Sequence, residues 1–290
     1  MHMAMIPVDE VNFGRTGRRV SRVGLGGEGV LRTRHRLEAA RSVIETALDE
    51  GLVYFDSAPA YADSEDYYGA VWKKSPQLRN GIFQASKSAQ RTRDGALRDL
   101  ERTFRRMDLS RLDLWQMHDV RTMEELDAME KPGGALHAFL EAKASGLTAH
   151  IGVTGHHDPR VLTEAVARWP LDAVLLPVNP VEVFLGGFLD ETASVAAHKG
   201  MAVIGMKVLG AGQYLAPDAG IGAETLIRFA LSQPVTLVVV GCHSAHHVRT
   251  LASCARSFQP MDPKEQRAVL EVFRPYAKRL AFYRGPLGRS

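Results

Sequence analysis

The stretch FDSAPAY, Phe55 to Tyr61, ends an apolar run on a carboxylate and sets a phenol five residues later. The run before it, Leu52-Val53-Tyr54-Phe55, is β-branched and aromatic and reads as a buried strand. On its own the stretch favours a bland explanation, in which Asp56 caps a loop and Tyr61 packs over a rim. The rest of the chain decides otherwise. Short apolar runs alternate with amphipathic segments throughout, and strands are expected at Val23–Gly27, Val53–Asp56, Ile82–Ser86, Leu112–Met117, His150–Val153, Ala173–Val178, Ala202–Val208 and Leu237–Gly241. Between them the apolar residues recur three and four apart, predicting helices over Leu37–Glu50, Glu65–Lys73, Gly95–Met107, Leu136–Ser145, Pro159–Trp169, Asp190–His198, Ala223–Ser232 and His246–Ala255. Gly51, Gly146 and Gly200 stand where helices should stop. Eight strand–helix pairs with short links and no break in composition predict one (β/α)8 TIM barrel, a single domain over residues 1–290. A doubly wound sheet is the alternative, but no dinucleotide fingerprint is read after the first strand. Val11-Asn12-Phe13 and Arg19-Val20 flank Gly14 and Gly17, an N-terminal β-hairpin closing the barrel bottom, and Pro263–Leu280 reads as an extra C-terminal helix.

Composition narrows the function classes. The 290 residues are 45% hydrophobic and 24% charged, as in an ordinary globular protein. The formal net charge of +3 is too small to argue for nucleic acid, and the arginines between Arg91 and Arg111 are interleaved with acids as on a solvated helix face. Cys242 and Cys254 are too few for a disulfide framework, so a reducing cytoplasm is the expected setting. MHMAMIPVDE has neither a basic nor an apolar leader region, and no apolar run approaches a membrane span. Neither nucleic acid nor membrane is expected as a partner. The expected state is a monomer or a weak homo-oligomer.

In such a barrel the reacting groups sit at the C-terminal strand ends. Strand two ends at Asp56 with Tyr61 in its loop, strand three at Lys87 in IFQASK, and strand four at His118 in DLWQMHD. Each has a structural explanation alone, whereas the four together at one rim are less readily incidental. Tyrosine is a weak acid, with an ordinary pKa of about 10, and a neighbouring ammonium is expected to stabilise its phenolate and lower that value. Asp56 would hold Lys87, His118 would donate a hydrogen bond to a carbonyl oxygen, and Tyr61 would protonate it. None of the four donates hydride, so a cofactor must.

These motifs resemble the aldo-keto reductase superfamily, from Phe13 to about Ala255. FGRTGRRVSRVGLG is similar to its hairpin and first strand. FDSAPAYADSEDYYG carries its Asp, its Tyr and a Ser64-Glu65 pair before Gly69, while QASK and LWQMHD match its Lys and His motifs. The resemblance implies Asp56, Tyr61, Lys87 and His118 as a catalytic tetrad. It implies NADP(H), with NAD(H) the alternative, and reversible reduction of a small-molecule aldehyde or ketone.

The cofactor side departs from the family pattern. Where the family has Ser-Asn after strand five, this chain has Thr154-Gly155-His156, with Thr154 replacing the hydroxyl and His156 offering a hydrogen bond. The family's glutamine on strand six becomes Leu175, with Asn179 as a polar substitute of the same parity. Met206 takes the place of the tyrosine under the nicotinamide. Lys207 and the loop Leu209-Gly210-Ala211-Gly212 are expected at the pyrophosphate, and Gly27 at the end of strand one is expected among the cofactor-binding residues. VVVGCHSAHHVRTL resembles the phosphate-binding unit, implicating Gly241, Cys242, His243, Ser244 and His247 ahead of a helix N-terminus. It contains no Arg or Lys before Arg249, and Thr250 or Leu251 stands where the family contacts adenine.

Two competing functions are weighed. A metal-dependent hydrolase using His118, His156, His243 and Asp56 would explain the histidines but leaves Tyr61 without a role; no metal is expected, since no carboxylate is spaced to pair with these imidazoles. A nicotinamide-binding sensor or subunit with little turnover is the other. Trp115 reads as core, the charged loop DVRTMEELDAMEKPGG as a cover for the site, and Phe282 and Tyr283 as lining or packing.

Overall fold

The alternation of apolar runs and amphipathic helices closes into a barrel in the computed structural model, which describes residues 8–285. The first seven residues, which carried much of the leader-sequence reading, lie outside them. An antiparallel hairpin, β1 (Glu10–Asn12) and β2 (Arg19–Ser21), precedes eight parallel strands: β3 (Val23–Gly29), β4 (Tyr54–Asp56), β5 (Phe83–Ser88), β6 (Leu112–Met117), β7 (Thr148–Thr154), β8 (Ala173–Pro177), β9 (Ala202–Met206) and β10 (Leu237–Cys242). The strands follow chain order around the barrel, and β10 closes on β3. The architecture is the (β/α)8 TIM barrel with its N-terminal hairpin and C-terminal helix that the sequence predicts.

Side-chain alternation builds two cores. Phe55, Trp115, Met117, Val153 and Val174 face the helices, where Trp115 stacks on Phe139 with ring centroids 3.7 Å apart. Tyr54, Phe83, Leu114, Leu175 and Ile204 fill the barrel, and Phe13 from the hairpin plugs its bottom, 4.7 Å from the Phe83 ring. The plug is possible because Gly14 turns at φ +54°, where a Cβ would lie 2.7 Å from the backbone of Gly200 and Ala202. Above this apolar filling the inward positions become polar, at Asp56, Lys87 and Gln116.

Several segments differ from the sequence reading. Gly24 to Gly29 do carry the G-x-G-x-x-G spacing, but inside β3, where the glycines make room for neighbouring side chains: a Cβ at Gly24 would meet Tyr54, and one at Gly27 would meet Tyr61. The charged stretch after His118 contains a helix, Met123–Glu130, capped by Thr122 and burying Leu126 and Met129 against the flank, so it is a packed element more than a cover. A helix also forms over Pro180–Leu185. The expected helix over Asp190–His198 is a π-helical turn, Phe188–Thr192, running into Ala193–His198. The C-terminal helix Pro263–Phe273 yields to a 3-10 turn at Arg274–Tyr276, because Pro275 has no amide hydrogen to continue it, and Ala277–Leu280 follows.

Candidate active site

The FDSAPAY turn folds Tyr61 back over the strand ends. Tyr61 N donates to Ala58 O at 2.9 Å, Ser64 N donates to Tyr61 O at 2.9 Å, and the helix Ser64–Lys74 starts at once. Ser57 Oγ bonds Ser64 Oγ at 2.9 Å, pinning the loop to that helix. The ring of Tyr61 rests on the backbone of Gly27, where a Cβ would come within 2.4 Å of it. A glycine is therefore required at that point for Tyr61 to reach the barrel axis.

Lys87 meets this turn from β5. It is fully buried, and its Nζ donates to Asp56 Oδ2 at 2.5 Å and to Ser57 O at 2.8 Å. The same Nζ lies 4.9 Å from the centroid of the Tyr61 ring. His118, beyond the end of β6, presents its imidazole edge-on to Tyr61 with centroids 5.6 Å apart. Its backbone is fastened on both sides: His118 N donates to Ser88 O at 2.8 Å, and Arg91 donates to His118 O at 3.1 Å and to Asp119 O at 2.7 Å. The four residues singled out in the sequence are thus brought together at one rim.

Glu65 supports them from behind. It is fully buried, accepts 2.8 Å hydrogen bonds from Ser86 and Thr103, and lies 3.3 Å from Arg106. Ser86 precedes Lys87, so Glu65 stitches the helix after Tyr61 to the strand that carries the lysine. Gly69 lets that helix touch the next one, since a Cβ there would sit 2.0 Å from Arg106 O.

The electrostatics separate the groups. Burial, then the Lys87 ammonium, pushes the His118 imidazole down to about 3, so it is neutral at any physiological pH. Burial draws Asp56 up and Lys87 down, and their mutual attraction opposes both. Burial, followed by the negative charges of Asp56 and Glu28, pushes the Tyr61 phenol well above its ordinary value. This corrects the expectation from sequence that a neighbouring ammonium brings the phenol below its ordinary value: in the packed site desolvation outweighs the cations and the net direction is upward. Arg32 acts in the opposite sense on Tyr61, from 5.3 Å over its ring.

The residues expected at a cofactor divide. Thr154 accepts from Asp119 N at 2.8 Å and retains its own hydroxyl proton for donation. His156 Nδ1 lies 3.1 Å from Tyr283 O and its Nε2 3.3 Å from Asp119 Oδ1. Asn179 has the expected parity but is saturated: its Oδ1 caps the helix Pro180–Leu185 through Val181 N and Glu182 N, and its Nδ2 donates to Tyr283 Oη at 2.8 Å and to Lys207 O at 3.3 Å. No donor or acceptor of that amide remains for a carboxamide. Met206 ends β9 half-buried against the inner core. Lys207 turns at φ +57°, after which Leu209, Gly210 (φ +54°) and Gly212 (φ +89°) form a tight loop. Gly241 abuts Glu28 at an irregularity in the β10–β3 pairing. Cys242 is buried, its thiol pushed up to about 12 by burial. Ser244 caps the helix Ala245–Arg256 by accepting from His247 N, and His243 N approaches His247 Nδ1 at 3.4 Å. Arg249 turns away, 3.7 Å from Glu50, which also pairs with Arg256 at 2.7 Å.

Sequence reasoning missed the clamp on the far side of the mouth. Tyr283 Oη donates to Glu182 Oε1 at 2.6 Å, and Arg284 is ion-paired with the same buried carboxylate. It also passed over Glu28 and Arg32, whose only signal is opposite charge at a four-residue spacing. Among the described residues no three His, Cys, Asp or Glu side chains converge to hold a metal ion, and no helix is long and apolar enough to cross a membrane.

Comparison with known proteins gives a consistent result. The family model of the Aldo/keto reductase family matches residues 22–219. A pyridoxal 4-dehydrogenase from Microbacterium luteolum is 24% identical over 255 residues, covering 72% of each chain. An aldo-keto reductase from Strobilurus tenacellus is 25% identical over 222 residues, covering 73% of this chain and 62% of that one. Among solved structures, an aldo-keto reductase from Klebsiella pneumoniae in complex with NADPH superposes with a TM-score of 0.75 at 17% identity, over 92% of this chain and 96% of the other. The holo form of an aldo-keto reductase from Bacillus halodurans gives 0.74 at 17% identity, over 91% and 96%.

Proposed function

The chain belongs to the aldo/keto reductase family, and on that premise we propose that it is a nicotinamide-dependent oxidoreductase reducing a small-molecule aldehyde or ketone to an alcohol, with Tyr61 as the proton donor. The observation that carries the assignment of the acid is geometric: Tyr61 sits at the rim with the Lys87 ammonium 4.9 Å from its ring centroid and the His118 ring centroid 5.6 Å away. An imidazole pushed down to about 3 has no second proton to give at neutral pH, so it serves as a hydrogen-bond donor that orients the carbonyl oxygen. Tyr61, whose phenol holds its proton, lies edge-on to it at the same rim. Lys87, fixed by Asp56 and Ser57, is the buried positive charge nearest the developing phenolate.

The residues present fit NADP(H), with NAD(H) the weaker alternative. The positive-φ glycines Gly210 and Gly212 let backbone approach a pyrophosphate, with Lys207 beside them as a cation. Ser244 opens a helix of twelve residues whose free amides suit a phosphate. Thr154 keeps a hydroxyl proton for a carboxamide, while Asn179 is withdrawn from that role by its own hydrogen bonds. Gly27 in this arrangement acts on Tyr61 as a rest for its ring. When bound, the reduced nicotinamide supplies the hydride.

The test is NADPH consumption against a carbonyl panel, beginning with pyridoxal because of the similarity to a pyridoxal dehydrogenase. Tyr61→Phe should lower turnover by about 10²–10⁴-fold while cofactor affinity, read by fluorescence titration, stays near that of the parent. Turnover that survives the substitution would remove Tyr61 from the mechanism.

A further inference from the structure

Tyr61 is faced by a second cation, from the solvent side. Arg32 follows β3, and its guanidinium carbon lies 5.3 Å from the centroid of the Tyr61 ring, close to the 4.9 Å of Lys87 Nζ. The two cations differ in freedom. Lys87 is fully buried and locked to Asp56, whereas Arg32 is 49% exposed and bonded at 2.7 Å to Glu28, itself 48% exposed. An exposed ion pair is held weakly and rearranges readily.

We propose that the Arg32–Glu28 pair sets the proton affinity of Tyr61 from the barrel mouth, Arg32 favouring the phenolate and Glu28 the phenol. The proposal rests on the reading of Tyr61 as proton donor. A cation over an aromatic face gains attraction when the ring becomes anionic, and a carboxylate beside it loses. In carbonyl reduction the Tyr61 O–H bond breaks as its proton passes to the carbonyl oxygen, and the phenolate left behind takes a proton from solvent. In alcohol oxidation the phenolate accepts the proton instead. The balance between Arg32 and Glu28 therefore bears on both directions, oppositely.

The other groups facing Tyr61 cannot adjust in this way. On β4 stand Tyr54, buried in the barrel, and Asp56, paired with Lys87 of β5. Beyond β6 stand His118, which is neutral, and Asp119, tied to Arg121 at 2.6 Å and to His156 at 3.3 Å. Among the described residues facing Tyr61, the pair at the end of β3 and just beyond it combines proximity with exposure.

The measurement needs neither substrate nor cofactor. Difluorotyrosine, whose phenol ionises within an accessible pH range, is incorporated at position 61, and its fluorine resonance is followed against pH. Arg32→Met keeps the stem, removes the charge and should raise the midpoint by about half a pH unit. Arg32→Lys should hold the midpoint near the parent value, and Glu28→Gln should lower it. A midpoint unmoved in both Arg32→Met and Glu28→Gln overturns the proposal. Failure of the proton-donor reading would show separately, as turnover persisting in Tyr61→Phe.

Discussion

Lowering the pH from 7 to 5 should destabilise this protein through His118, and the size of the effect follows from its surroundings. In the fold the imidazole is pushed down to about 3 by burial and by the Lys87 ammonium, so it takes up almost no proton at pH 5. In the unfolded chain an ordinary histidine, with a pKa of about 6.5, is almost fully protonated there. The unfolded state then binds more protons than the folded one, so stability rises with pH across this window and falls as acid is added. Taking the two pKa values, the loss between pH 7 and pH 5 is about 2 kcal/mol. It depends little on the folded value, which lies far below the window. The assay is urea unfolding at both pH values for the parent and for His118→Gln, which keeps a neutral hydrogen-bonding side chain. The contributions of His150 and His156, also held down by burial, cancel in the difference. The parent should lose about 2 kcal/mol more than the variant. Equal losses would mean that His118 protonates in the fold, and the case for Tyr61 as the only acid would fall with it.

Lys87→Met should both slow turnover and destabilise the barrel, by about 3–5 kcal/mol at neutral pH, because it leaves the buried Asp56 carboxylate unpaired; denaturant midpoints against a Lys87→Met/Asp56→Asn double variant would show whether that charge is the cause. Gly27→Ala should depress turnover strongly, since the added methyl occupies the space of the Tyr61 ring; steady-state kinetics alongside circular dichroism would separate misplacement from unfolding. The ratio of NADPH to NADH affinity should fall from pH 6 to pH 8, since the loop at Ser244 holds histidines and Arg249 is directed to Glu50. A large ratio indifferent to pH in fluorescence titrations would show that a permanent cation reaches the 2′-phosphate.

The barrel was legible because its strands announce themselves by composition, and at β4 and β5 the inward positions near the strand end, Asp56 and Lys87, are residues that are costly to bury without a purpose. Asp56, Tyr61, Lys87 and His118 could be found from strand ends alone, since parallel strands of a barrel bring equivalent positions to one rim. What could not be read depended on contacts between distant residues. Glu182 and Arg284 have no periodic relation, and only the folded chain makes them partners. Asn179 has the inward parity expected of it, but the Asn179-Pro180 step also signals a helix start, and that local demand occupies its amide oxygen. The helix Met123–Glu130 was obscured by its acids, although Met123, Leu126 and Met129 recur at three-residue spacing. The pKa of Tyr61 was misjudged because desolvation is a property of the packed site, and sequence reveals only which charges are available.

The seam between β10 and β3 has a consequence for how the protein acquires its function in time. Val238 pairs with Val23, so the barrel can close only after nearly the whole chain is available, and the loop entropy of that closure is paid last. The Asp56, Tyr61, Lys87 and His118 groups come from β4 to β6 and their loops, neighbours in the chain that can assemble early. The glycine and serine loops proposed for phosphate binding follow β9 and β10, and the end of β10, at Gly241 and Cys242, meets Glu28 and Gly29 only across the final seam. A nascent or partly unfolded barrel would thus gather acid–base groups without an anion site beside them, and NADPH would act as a selective stabiliser of the closed form, favouring it by mass action.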